Sequence, residues 1–185
     1  FQGGVLFVLA AGAAYLALEA VGTWLRGRRA AGGGTVLALL IAVGIGLHNF
    51  GEGLAIGSAF ALGEAVLGTL LIVGFTLHNT TEGLAIVAPL ARERQRVAPG
   101  ALVRLGLIGG VPTIAGAWLG GFVYSPVWSV LFLAIGVGAI AQVVGQIARQ
   151  LGRDAAPMQR LTSGPVLAGL ATGVAVMYVT GMLVG

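Results

Sequence analysis

The sequence predicts an all-α fold: a polytopic membrane bundle of six transmembrane helices, forming a single domain over residues 1–185. Three observations lead there. First, 57% of residues are hydrophobic and only 9% charged, whereas a soluble domain carries roughly 25% charged residues; with mean hydropathy +0.99, lipid is the solvent this chain suits. Second, six apolar runs each approach or exceed the length of about 20 residues that a spanning helix needs. Third, all ten arginines lie in or beside alternate connections between those runs.

The runs are Val5–Trp24, Val36–Leu62, Ala65–Ala91, Ala101–Tyr124, Val127–Ala148 and Pro165–Val184. No basic segment with a cleavage site precedes the first, so no signal peptide is expected. Gly32-Gly33-Gly34 separates the first two runs, and only Gly63-Glu64 separates the second from the third, which predicts a tight helical hairpin. Pro99-Gly100 opens the fourth, Ser125-Pro126 divides the fourth from the fifth, and Ser163-Gly164-Pro165 starts the sixth. Pro112 is expected to kink the fourth. Arg26, Arg28 and Arg29 follow run one; Arg92, Arg94, Arg96 and Arg104 join runs three and four; Arg149, Arg153 and Arg160 join runs five and six. Six alternating spans put all of them on one side, cytoplasmic by the positive-inside rule, with both chain ends outside. The net charge of +4, arising without any lysine, is therefore a topology signal, and no nucleic-acid partner is expected. The absence of cysteine excludes disulfides, thiolate metal sites and cysteine nucleophiles.

One repeat stands out. Residues 44–56 read GIGLHNFGEGLAI and residues 74–86 read GFTLHNTTEGLAI, matching at nine of thirteen positions with an offset of 30. The copies lie on consecutive, antiparallel spans, so His48 and His78 meet near the bilayer midplane about an approximate two-fold axis in the membrane plane. A charged side chain at that depth costs at least about 2.5–3.5 kcal/mol on insertion scales, and a divalent cation offsets four ionisable groups together. Two carboxylates and two neutral imidazoles suit zinc, iron, manganese or cobalt. His48 and Glu52 share a helix face, Glu52 being rotated about 40° and Asn49 about 100° from His48. Glu52, and by the same geometry Glu82, is placed to bridge a histidine side with an asparagine side, where Asn49 and Asn79 offer weaker amide oxygens. The candidate metal residues are thus His48, Glu52, His78, Glu82, Asn49 and Asn79. A lone buried His or Glu is as often an interhelical hydrogen-bond partner; two matching copies on neighbouring spans favour a metal. Elsewhere, Glu19 is read as a path residue or as one snorkelling to the interface, Gln142 and Gln146 as cross-helix hydrogen-bond partners, and Gly116/Gly120 and Gly169/Gly173 as helix-packing pairs.

HNFGEG at 48–53 and HNTTEG at 78–83 resemble the fourth and fifth transmembrane helices of the ZIP (Zrt-/Irt-like protein) metal transporters, nearest the prokaryotic GufA-like branch. The resemblance runs over the whole chain, whose six runs are similar to helices three to eight of that eight-helix fold. It implies import of divalent metal as substrate, zinc foremost and iron, manganese, cobalt or cadmium as alternatives, across the plasma (cytoplasmic) membrane of a prokaryote. It also implies a homodimer working by an elevator-type mechanism. The chain departs from the pattern in three ways: the first two helices have no counterpart, Gly51 and Thr81 stand where proline is common, and Val111 stands where a carboxylate is common in the sixth helix of the family. The alternatives from other classes are an intramembrane metalloenzyme and a metal-binding membrane protein that does not transport. No HExxH and no Ser/His/Asp set is present, so no enzyme and no cofactor is expected.

Overall fold

The structure, a computed structural model, describes residues 2–28, 33–92, 96–122, 125–151 and 162–184. These residues form six α-helices and no strand: α1 Gln2–Arg28, α2 Gly33–Ala61, α3 Ala65–Arg92, α4 Pro99–Phe122, α5 Pro126–Leu151 and α6 Gly164–Val184. Each is long and apolar enough to cross a membrane. Hydrocarbon offers no hydrogen-bond partner, so the backbone satisfies itself within each helix.

The expected spans hold, with differences at their ends. Helices α1 and α5 continue to Arg28 and Leu151, past the apolar limits at Trp24 and Ala148; arginine and glutamine are good helix formers, so polarity rises before the helix stops. Gly33 and Gly34 belong to α2 and not to a connector. Tyr124, Gly32, Arg29, Arg94, Arg153 and Arg160 lie outside the described residues.

The α2–α3 hairpin closes as expected. Gly63 adopts φ 81°, the Glu64 N–H donates to the Ala59 carbonyl at 2.9 Å and the Gly63 N–H to that of Phe60 at 3.0 Å. This is a Schellman cap, which a side chain at 63 would strain. Pro99 and Pro126 occupy the first helical positions of α4 and α5, where the missing N–H costs nothing. Helix α4 continues through Pro112, and α3 contains a second internal proline, Pro89, which the hydropathy reading did not single out.

Helix α2 is the axis of the bundle. It packs against α3, α4 and α5, with α1 lying on α5 and α6 on α3. The α2–α4 contact is built from glycine on both sides. A Cβ at Gly53 or Gly57 would collide with the Thr113 or Ala117 carbonyl, and one at Gly116 or Gly120 with the Phe50 or Leu54 carbonyl. Backbone therefore meets backbone, which membrane helices use where lipid supplies no hydrophobic drive to associate. Aliphatic packing covers the arginine-bearing half of the bundle, where Ile41, Ala42, Ile45, Ile86, Leu90 and Leu105 form one core.

Candidate metal centre

The repeated motif places its polar side chains along the α2–α3 contact. His48, Asn49 and Glu52 come from α2, and His78, Asn79 and Glu82 from α3. Glu52 is the hub. Its Oε1 lies 3.4 Å from His48 Nε2 and 2.5 Å from His78 Nε2, and its Oε2 accepts the Asn79 amide at 3.0 Å. Glu52 and His78 are buried, and His48 is half-buried. His48, Glu52 and His78 each offer one ligand atom, all mutually within 4.8 Å. Glu82 stands at the edge of this trio, its Oε1 3.9 Å from His48 Nε2 and its Oε2 buried without a hydrogen-bond partner.

These distances can be set against coordination chemistry. Ligand atoms at 2.0–2.2 Å in a tetrahedron around zinc stand about 3.4 Å apart. The His48–Glu52 separation already has that value, and Glu82 is about 0.5 Å beyond it. The His78–Glu52 pair is too close for both atoms to bind one ion, the ring nitrogen and the carboxylate being in direct hydrogen-bond contact at 2.5 Å. To hold a cation here the pair would have to open by about 1 Å, and the ion would compete with protons for the same lone pairs. The unpartnered Glu82 Oε2 would be available as a fourth ligand.

The asparagines are held differently. Asn49 Nδ2 donates to the Gly109 carbonyl of α4 at 3.0 Å, and its side chain also reaches the Glu82 carboxylate. The Oδ1 atoms of Asn49 and Asn79 are both buried without partners. Two amide oxygens and one carboxylate oxygen are therefore left as bare acceptors, a set that favours a cation over an anion. Val111, two residues from the Gly109 acceptor, is 48% exposed on α4, so the oxygen facing Asn49 from this helix is a backbone one.

Several supports were not legible in the sequence. Gly136 of α5 lies so close that a Cβ there would come within 3.3 Å of His48 Cα. Phe75 sets its ring edge-on to His78, with centroids 5.3 Å apart. Thr76, Thr80 and Thr81 donate to the carbonyls of Ile72, Thr76 and His78 at 2.7, 2.9 and 2.6 Å. Such back-bonding slightly destabilises and often bends helices, and all three threonines lie within three residues of His78 on α3. An apolar cavity of about 390 Å³ between α3 and α6 reaches His78 past Phe75 and Met177.

Glu19 and the glutamines form a separate network. Glu19 Oε2 accepts Arg149 Nη2 at 2.6 Å and Gln142 Nε2 at 3.0 Å, Oε1 is 3.6 Å from Arg26, and Gln146 Nε2 donates to Gln142 Oε1 at 2.8 Å. Gln142 bonds across helices as expected, whereas Gln146 bonds within α5 to Gln142 and leaves its own Oε1 buried without a partner; Glu19 ties α1 to α5.

No protein-family model, curated protein or solved structure matches this chain.

Proposed function

We propose that this protein carries divalent transition-metal ions across a membrane, with zinc the leading substrate, through the His48/Glu52/His78/Glu82 centre. The observation that carries the reading is the convergence of the two motif copies. Two imidazoles and a carboxylate from neighbouring apolar helices stand within 4.8 Å of one another, with Glu82 beside them and three acceptor oxygens unpartnered. Burying such a set inside a membrane is costly unless a cation uses it. The similarity of the two motifs to those of ZIP transporters supports the same reading, and with it a homodimer and elevator-type movement. The arginine distribution supports import, with the arginine-bearing connections in the cytoplasm. A metalloenzyme is disfavoured because the sequence holds no HExxH and no Ser/His/Asp set.

Uptake by purified protein in liposomes tests this directly. Zinc flux that disappears in Glu52→Ala, while the variant still inserts, is the expected result. Tight zinc binding without flux in the wild type would assign a sensor or a structural metal protein instead.

A further inference from the structure

Two cavities open at the arginine-bearing end of the bundle, and their chemistry differs. The first, about 230 Å³, is lined by Arg26 and Arg149, but Glu19 lies between them and engages both. The second, about 390 Å³, lies between α2, α3 and α4. Its wall is apolar, from Leu39, Leu90, Leu105 and Ile108, and its rim carries Arg96 and Arg104 with no acidic side chain among the described lining residues. The volume falls within the roughly 300–1,000 Å³ range of small-molecule sites.

We infer that this second cavity binds an anionic phospholipid, its phosphate at Arg96 and Arg104 and the start of an acyl chain against the leucines. Charge selects the head group. Both arginines present cationic donors suited to phosphate, and the first turn of α4, which borders the cavity at Ala101, adds the positive end of a helix dipole. Depth selects a lipid over a free anion. The cavity sits at the ends of three spanning helices, where a head group resides, and its apolar wall continues into the hydrocarbon region. Basic pockets between membrane helices bind anionic head groups on these grounds. The occupant bridges α2, α3 and α4, the helices that carry the metal centre and its Gly109 acceptor, so lipid charge is linked to the stability of that unit.

The test uses the full chain purified in neutral detergent, with thermal unfolding followed as short-chain phosphatidylglycerol is added. Phosphatidylcholine of the same chain length and inorganic phosphate serve as the comparison probes. Phosphatidylglycerol raises the melting temperature saturably, whereas the other two leave it unchanged. Arg96→Gln and Arg104→Gln each weaken the apparent affinity about fivefold, as expected for one arginine near a lipid charge. Arg26→Gln, in the cavity that already contains Glu19, leaves the affinity unchanged. An equal response to inorganic phosphate overturns the lipid assignment, and an equal loss in Arg26→Gln overturns the location, because both would reflect diffuse charge. Should Arg96→Gln or Arg104→Gln fold poorly, Ile108→Asn tests the apolar wall instead. Retention of full phosphatidylglycerol affinity in that variant counts against the site.

Discussion

Glu52 and Glu82 occupy equivalent places in the repeat, yet the fold treats them differently. Glu52 is bonded to both His78 and Asn79, whereas Glu82 buries an oxygen with no partner. An unsatisfied buried acceptor costs about 1–3 kcal/mol, more if charged. Glu82→Ala is therefore expected to raise the metal-free stability by about that amount while abolishing or strongly impairing zinc uptake. The same variant loses most of the thermal stabilisation that zinc confers on the wild type, which amounts to about 2.7 kcal/mol at a hundred times the dissociation constant. Unchanged flux together with an unchanged zinc shift would place transport elsewhere. The donor set of imidazoles and carboxylates fixes the sign of the pH effect. Protons and metal compete for the same lone pairs, so zinc affinity falls as pH falls; isothermal titration at two pH values in buffers of different ionisation enthalpy counts the protons released. Affinity that is independent of pH, with no proton released, contradicts binding by this donor set.

At the scale of the helix, the α2–α4 contact behaves as one piece because it leaves no room to adjust. Gly53, Gly57, Gly116 and Gly120 each face a carbonyl of the other helix. Gly116→Val overpacks this contact and costs about 1–3 kcal/mol, read as a lower melting temperature in detergent. Gly169→Val, on α6 where a Cβ meets nothing within 4 Å, leaves the melting temperature close to wild type. Both positions belong to small-xxx-small pairs, so equal effects would contradict the packing described. Helix α3 contrasts with α2 and α4: its threonines bond back to its own carbonyls around His78, and among the described residues its contacts beyond α2 are with α6 and, more lightly, α4. If one wall of the metal centre moves during transport, α3 is the one with the fewest constraints.

At the scale of the molecule, the topology expected from the arginines would set the direction of the proposed transport. Alternation of spans puts the Ser125 connection and the arginine-bearing connections on opposite sides, and the absence of cysteine makes this simple to test. In intact cells Ser125→Cys is labelled by an impermeant maleimide, and Ser163→Cys is labelled only after lysis. The reverse pattern would invert the direction assigned to transport. A bundle with α1 on one flank and α6 on the other leaves both outer helices largely exposed.

The six helices, their boundaries to within about a turn, the Gly63 hairpin and the meeting of His48, Glu52 and His78 were all legible in the sequence. Each depends on local chemistry: apolar length, turn residues and a motif repeated at a fixed offset. What only the tertiary structure decided is which equivalent residue does which task. The motif makes Glu52 and Glu82 interchangeable, but α2 is enclosed on three sides while α3 is not, so Glu52 becomes the hub and Glu82 the free arm. Sequence spacing likewise marks Gly116 and Gly120 as a packing pair and Asn49 as a candidate ligand. That the pair packs on α2, and that Asn49 donates to the Gly109 carbonyl, depends on how closely two backbones approach, which no one-dimensional pattern encodes. The role of Glu19 is of the same kind: its partners Gln142 and Arg149 lie more than a hundred residues away, and only the packing of α1 on α5 brings them within reach.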